Sequence, residues 1–139
     1  MEETTDAKVF EHPLRVTAAD IDAQGHVNNV VYLRYAQDAA VAHWRSVTTS
    51  EQRETSAWVA RRHEIDYLRP GFEGDELLAR TWVGDASGAT FDRFVEIVRT
   101  ADGEVLAKVR TVWVLIDPKS LRPRRVDAAI RAPFFESKS

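Results

Sequence analysis

The 139-residue chain contains no cysteine. Disulfide bonds, thiol nucleophiles and thiolate metal sites are therefore excluded, and the composition suits a reducing compartment such as the cytoplasm, where we expect the protein to act. Its four histidines, His12, His26, His43 and His63, lack the short pairwise spacing of zinc-binding motifs. We therefore expect no metal.

Long hydrophobic runs and a strong excess of one charge are also missing. No segment approaches the roughly 18 consecutive apolar residues of a membrane span, and the acidic start MEETTD does not look like a secretion signal. Lysine and arginine together number 19, against 22 acidic residues. Because nucleic-acid binding usually shows as a basic excess, we expect neither a nucleic-acid nor a membrane partner.

Length and composition favour a single domain. The hydrophobic fraction of 44% in 139 residues is enough for one core of its own. No internal repeat or low-complexity linker divides the chain. We predict one domain over residues 1–139, with residues 1–8 and 136–139 as flexible ends.

One helix stands out in the pattern of apolar residues. Residues 29 to 44 or 45 contain no glycine or proline, and their apolar side chains cover most of a helical wheel. Such a pattern is typical of a helix that is buried on nearly all sides.

Strands are predicted around this helix. A short strand over residues 10–17 precedes it, and four long runs rich in β-branched and aromatic residues follow, at 57–69, 76–83, 90–100 and 104–116. Turn residues separate the four runs, Asp102-Gly103 being the clearest hairpin signal, so the sheet is expected to be antiparallel. A short helix is predicted at 126–131. The fold class is α+β, a long antiparallel sheet wrapped around one central buried helix.

Polar, turn-forming residues stand directly before that helix, where residues 20–35 read DIDAQGHVNNVVYLRY. Asn28 and Asn29 are typical N-cap residues, and Gly25 suits a positive φ or a close backbone approach. The unpaired N–H groups at a helix start can stabilise a negatively charged oxygen. Because Asp22 lies seven residues before Asn29, a loop that folds back would put its carboxylate beside them. The segment is therefore a candidate active site.

Residues 20–29, followed by Tyr-Leu-Arg-Tyr at 32–35, resemble the signature of hotdog-fold acyl-CoA thioesterases of the 4-hydroxybenzoyl-CoA thioesterase class. Residues 65–70, which read IDYLRP, and Gly74-Asp75 add to the resemblance, which covers most of residues 10–117. It implies the hotdog fold and hydrolysis of the thioester of an acyl-CoA or an acyl-carrier protein. Coenzyme A would be part of the substrate, and no other cofactor is implied.

The resemblance also assigns roles to single residues. Asp22 matches the family's catalytic aspartate, acting as a nucleophile or as a general base, and the backbone N–H of Asn29 matches the group that polarises the carbonyl. We expect the substrate to be bound by residues of the loop and the first helical turn: Gly25, His26, Val27, Asn28 and Tyr32. Asp20, two residues before Asp22, is the competing candidate for the catalytic acid. If it is not catalytic, we expect it to be a turn residue.

One position departs from the family pattern. Many relatives carry a glutamate where this chain has Gln37, followed by Asp38. Gln37 cannot act as a base, although it can position a water molecule. For Asp38 we expect an exposed helical pair with Arg34, four residues earlier. The substrate's nucleotide requires positive charge, and nine arginines are candidates: Arg61, Arg62, Arg69, Arg93, Arg99, Arg110, Arg122, Arg124 and Arg125.

Assembly and two other functions stay open. The resemblance implies a homodimer, often paired further as a homotetramer, with active sites at the subunit interface. The runs at 57–69 and 104–116 contain no proline that would protect an exposed sheet edge, which favours pairing between chains. The alternatives to hydrolysis are an acyl-thioester dehydratase on the same fold and a non-catalytic acyl-thioester binding protein.

Overall fold

The computed structural model describes residues 7–135 of the chain. Its elements, in chain order, are β1 (Phe10–Arg15), α1 (Asn29–Val47), α2 (Ser50–Thr55), β2 (Ala57–Tyr67), β3 (Glu76–Ser87), β4 (Thr90–Arg99), β5 (Val105–Ile116) and α3 (Ala128–Arg131). Two short 3-10 turns, Ala18–Asp20 and Ala132–Phe134, complete them. All the predicted elements are present, and α2 is the one the sequence did not indicate.

The five strands form one antiparallel sheet in the order β1-β3-β4-β5-β2. The predicted hairpin between β4 and β5 is confirmed, and Gly103 occupies its turn at a φ of 74°, which favours glycine. The edges are β2, as expected, and β1, which carries Pro13. The expectation that residues 104–116 form an open edge is wrong, because β5 is paired on both sides.

Helix α1 starts where its capping residue predicts. The Asn28 side chain accepts a hydrogen bond from the Val30 N–H at 3.2 Å, so the helix begins at Asn29. One face, which includes Ala36 and Ala39, is buried against the sheet. The opposite face is open: Val30 is 67% and Val41 52% exposed. Burial on nearly all sides is therefore wrong for a single chain, because its five strands cover only one side of the helix.

The C-terminal segment closes the far end of the core. The predicted helix at 126–131 is present in the shorter form of α3. Ile130 of α3 and Phe134 of the following 3-10 turn are buried against Phe91 and Leu115 of the sheet. A separate and larger apolar cluster lies under the first half of α1. The helix therefore spans two clusters, one at each end of the sheet.

The predicted flexible ends lie mostly outside the described residues, at 1–6 and 136–139. Ala7 and Lys8 are described, and they are attached to the C-terminal segment. Ala7 forms a β-bridge with Phe135, and the Lys8 N–H donates to the Phe134 carbonyl at 2.9 Å. Among the described helices, none has the length and hydropathy needed to cross a membrane.

Candidate active site

The polar loop before α1 folds back on itself. The Asn28 N–H donates to the Asp20 carbonyl at 2.9 Å, and the Asp22 N–H donates to the His26 carbonyl at 3.0 Å. Gly25 turns the chain between these pairs at a φ of 88°, as its sequence position predicted. The two arms of the loop thus run side by side, and the arm with Asp22 lies against the arm that leads into the helix.

Asp20 is more than a turn residue. Its side chain is 2% exposed and accepts hydrogen bonds from Arg34 at 2.6 Å, from the Tyr35 hydroxyl at 2.8 Å and from the Thr17 N–H at 3.1 Å. Burial acts to raise the pKa of this carboxyl, but the hydrogen bonds from Arg34, Thr17 and Tyr35 outweigh it and lower the pKa. Arg34 therefore pairs with Asp20, and the expected pair with Asp38 is wrong.

Asp22 lies in the same loop in a different environment. The residue is half-buried, and its Oδ1 accepts a hydrogen bond from the Gln24 N–H at 2.9 Å. No residue among 7–135 donates to its Oδ2. Asp22 thus keeps one carboxylate oxygen available at the surface of the loop, whereas both oxygens of Asp20 are used.

The first turn of α1 offers a hydrogen-bond donor next to this loop. Asn29 is the first helical residue, and its N–H has no acceptor within the described part of the chain. Its carbonyl accepts from the Tyr67 hydroxyl at 3.3 Å. The free N–H lies at the positive end of a 19-residue helix, which adds to its attraction for a negative oxygen.

The other predicted binding residues divide into exposed and buried ones. Gly25 is exposed, while His26 and Asn28 are half-buried beside the helix start. The side chains of Val27 and Tyr32 belong to the apolar core, so any contact of Val27 with substrate would use its backbone. These five assignments stay predictions.

Gly71, which was not among the predicted site residues, packs directly behind the loop. Its carbonyl accepts from the Val27 N–H at 2.8 Å. A Cβ atom at this position would lie 3.0 Å from Val27 Cγ2 and 3.2 Å from Tyr32 Oη. A side chain here would fit only if these neighbours shifted by a few tenths of an ångström, and the turn signal Pro70-Gly71, formed by the last residue of IDYLRP and the glycine after it, marks the position in the sequence.

A cavity of about 470 Å³ lies further along α1, between the second half of the helix, β2, β4, β5 and the C-terminal segment. Aromatic rings form much of its wall, namely Trp44, Trp58, Phe91, Trp113 and Phe134, and Arg93 lines it as well. No sequence motif predicted this cavity. The strand alternation of β4 does indicate it, since Arg93 occupies an inward position between Phe91 and Val95.

Arg93 belongs to a buried polar cluster. Its Nη1 donates to Thr81 Oγ1 at 2.9 Å and lies 3.0 Å from His43 Nδ1. Burial, followed by the Arg93 charge, lowers the pKa of His43 to about 3, so the imidazole is neutral at pH 7 and Nδ1 accepts a hydrogen bond from Arg93. Burial also lowers the pKa of Arg93 to about 10, which leaves the guanidinium charged at pH 7.

The nine arginines predicted as candidates for binding the nucleotide differ in their burial and in their partners. Arg93 is buried, and five others already bind protein groups in the chain: Arg62, Arg69, Arg99, Arg110 and Arg124. Arg61, Arg122 and Arg125 make no ion pair among residues 7–135, and all three are exposed. Within that range, no three histidine or acidic side chains form a group able to hold a metal ion.

Comparisons with known proteins agree with this architecture. A family model described as the thioesterase-like superfamily matches residues 16–134. The acyl-CoA thioester hydrolase YbgC of Escherichia coli O6:H1 is 27% identical over 129 residues, 91% of this chain and 96% of the relative. The chloroplastic palmitoyl-acyl carrier protein thioesterase of Gossypium hirsutum is 25% identical over 143 aligned residues, covering 94% of this chain but only 34% of that protein.

A solved structure shows the same fold. A thioesterase of Thermus thermophilus, described as complexed with coenzyme A and Zn, is 28% identical, with a TM-score of 0.77 over 89% of this chain and 90% of that one. The likenesses confirm the expected hotdog fold and the expected class of enzyme.

Replacing Asp20 should reduce stability. Asp20→Asn removes the charge that Arg34 binds and the best acceptor for the Tyr35 hydroxyl. Because Arg34 is half-exposed and partly screened by water, we expect the free energy of unfolding to fall by about 1–2 kcal/mol in urea denaturation. Glu76→Gln, which breaks an exposed pair with Arg15, is the control and should cost less. Equal losses for the two variants would contradict the role assigned to Asp20.

Stability should also fall at mildly acid pH because of His43. The unfolded chain takes up a proton near pH 6.5, whereas the folded chain resists it until about pH 3. The unfolded state therefore binds more protons between these values, and this contribution to stability is lost as the pH falls. We expect a decrease of ~2 kcal/mol between pH 7 and pH 5 in urea unfolding.

The variant His43→Gln is the control for this measurement. It keeps an acceptor for Arg93 but does not titrate, so its stability should change much less over the same interval. The same pH dependence in both proteins would show that another group is responsible.

Proposed function

Because this chain belongs to the thioesterase-like superfamily, we propose that it hydrolyses the thioester of an acyl-CoA or an acyl-carrier protein at the loop before α1. The observation that carries the proposal is that one folded-back segment contains two groups without a partner among the described residues. They are the Oδ2 of Asp22 and the N–H of Asn29. Thiol release from a panel of acyl thioesters on both carriers tests it, and a protein without cysteine adds no background to a thiol reagent.

The N–H of Asn29 would stabilise the transition state. During attack on a thioester, negative charge develops on the carbonyl oxygen. A preorganised backbone donor at a helix N-terminus binds that charge more strongly than it binds the neutral carbonyl. One such donor is worth roughly 2.7–4 kcal/mol of transition-state stabilisation. The acyl carbonyl would therefore lie over the first turn of α1.

Asp22 would supply either the base or the nucleophile. As a base, it takes a proton from a water molecule that attacks the carbonyl carbon, and then returns the proton to the departing thiolate. As a nucleophile, its oxygen forms a mixed anhydride, the thiolate leaves, and water hydrolyses the anhydride. Its free Oδ2 and half-buried position suit both routes. The products are the same, a carboxylic acid and a thiol.

Binding of the nucleotide and assembly complete the proposal. Arg61, Arg122 and Arg125 are the candidates for contacts with the phosphates of coenzyme A. The long edge strand β2 and the open apolar positions Val30 and Val41 of α1 favour a homodimer, which can pair further into a tetramer. A cytoplasmic location stays a prediction.

Asp22→Asn should abolish turnover while leaving the fold intact. The Oδ1 of the asparagine can still accept a hydrogen bond from the Gln24 N–H, but the amide acts neither as a base nor as a nucleophile. We expect kcat to fall by ~10²-fold or more in the thiol-release assay, with an unchanged unfolding midpoint. Asp20→Asn is the matched comparison and, per folded molecule, should lose less activity. Wild-type rates for Asp22→Asn would refute its catalytic role.

The assembly can be measured directly. Light scattering at assay concentration should give at least twice the 15.8 kDa mass of one chain, because pairing through β2 would cover the free edge of an eleven-residue strand. A fully active monomer would exclude shared sites at a subunit interface, and it would leave the assignment of Asp22 untouched.

A further inference from the structure

The cavity beside the second half of α1 contains a buried cation without an anionic partner. Arg93 is only 6% exposed, and its hydrogen-bond partners, Thr81 and His43, are both neutral. Its guanidinium also lies 5.5 Å from the centre of the Phe134 ring, a cation–π contact that offsets only part of the cost of burying the charge. No carboxylate among residues 7–135 forms an ion pair with it. Burial of an unpaired charge costs several kcal/mol. A charge kept in such a position at the wall of a cavity indicates a ligand that neutralises it.

The free part of the guanidinium defines the shape of that ligand. Both hydrogen bonds of Arg93 use Nη1, and neither Nε nor Nη2 has a hydrogen-bond partner among the described residues. These two nitrogens carry parallel N–H bonds along one edge of the planar group. The arrangement matches the two oxygens of a carboxylate, which arginine binds in a bidentate manner.

The rest of the wall selects a flat apolar body. Three indoles, of Trp44, Trp58 and Trp113, and the rings of Phe91 and Phe134 surround the space. A volume of about 470 Å³ is in the range of cavities that hold one small molecule.

We propose that this cavity binds the acyl group of the substrate through a carboxylate at the end far from the thioester, which the Nε–Nη2 edge of Arg93 holds. The ligand is an apolar, ring-containing chain with an anionic end. Its identity as an acyl group rests on the proposed thioester hydrolysis. The carboxylate site itself rests on Arg93 and the cavity.

Two acidic residues at the cavity do not oppose such a ligand. Asp92 is paired with Arg110 at 3.1 Å, which balances its charge. Asp38 is exposed on the open face of α1, where water and salt screen its charge. His43 is neutral at pH 7 and adds no charge of its own. Arg93 therefore dominates the electrostatics of the buried wall.

The position of the cavity separates the two ends of the ligand. The cavity begins on α1 at Gln37, eight residues after Asn29, which is ~12 Å along the helix. The carboxylate would thus lie at the opposite end of the acyl group from the thioester. The acyl group reaches it along one chain or, in the proposed dimer, across the interface.

Calorimetric titration of the wild-type protein with two compounds of the same shape tests the carboxylate site. The pair is 4-isopropylbenzoate and 4-isopropylbenzamide, which differ in charge at one group. We expect the benzoate to bind at least tenfold more tightly. Equal affinities, or no measurable binding of either compound, would overturn the proposal. This comparison needs no mutation, so a variant that fails to fold does not affect it.

Variants of Arg93 then test whether this residue causes the tighter binding of the benzoate. Arg93→Gln should remove it, and Arg93→Lys, which keeps the charge but lacks the planar edge, should reduce it. Arg80→Gln, on an arginine paired with Glu11 and Glu96 away from the cavity, should keep the wild-type preference. Circular dichroism checks that each variant folds. A preference that persists in folded Arg93→Gln would assign it to another group and overturn the proposal.

Turnover separates this inference from the proposed function. Acyl-CoA substrates with and without a carboxylate at the far end of an aryl group are compared in the thiol-release assay. A preference for the carboxylate, lost in Arg93→Gln, supports both proposals. Hydrolysis of the two substrates with equal kcat/KM overturns the inference and leaves the function. Arg93-dependent binding of the benzoate without hydrolysis of any thioester overturns the function and leaves the carboxylate site.

Discussion

The hydrogen-bond network of Asp20 is the constraint on which the candidate site depends. One buried carboxylate binds Thr17 before the loop and Arg34 and Tyr35 on the helix after it. Its backbone carbonyl also accepts from Asn28, the helix cap. The loop is thereby closed at its base, and the arm that carries Asp22 is held against the arm that leads into α1. Both carboxylate oxygens of the buried Asp20 are hydrogen-bonded, so Asp20 acts on the structure of the loop. Of the two acids, only the half-buried Asp22 keeps a free carboxylate oxygen.

A second buried polar cluster lies at the other end of the helix and has the opposite balance of charge. Asp20 is a buried anion with a cation beside it, whereas Arg93 is a buried cation whose partners are neutral. The first arrangement is complete within one chain and acts on structure. The second lacks an anionic partner among the described residues, and the cavity next to Arg93 has room for an anionic ligand. We therefore assign a structural role to Asp20, whose charge is paired, and a binding role to Arg93, whose charge has no counter-ion among the described residues.

The open face of α1 and the free edge of β2 are related features. A five-stranded sheet is too narrow to enclose a 19-residue helix, so Val30 and Val41 stay exposed on the side away from it. The same sheet ends in an edge strand of eleven residues, β2, which contains no proline and is paired on one side only. Both surfaces are apolar or unpaired for the same reason, namely that one chain has too few strands. Pairing of two chains would cover them together.

The sequence by itself determined the elements and the loop. Cap residues, turn glycines and alternation act over a few neighbours, so the start of α1 at Asn29, the turn at Gly25 and the β4–β5 hairpin followed from local chemistry. Only the tertiary structure decided which acid is buried, that β5 lies inside the sheet, and that Arg93 faces a cavity. Burial and pairing depend on residues distant in the chain, and no local pattern records which of them meet.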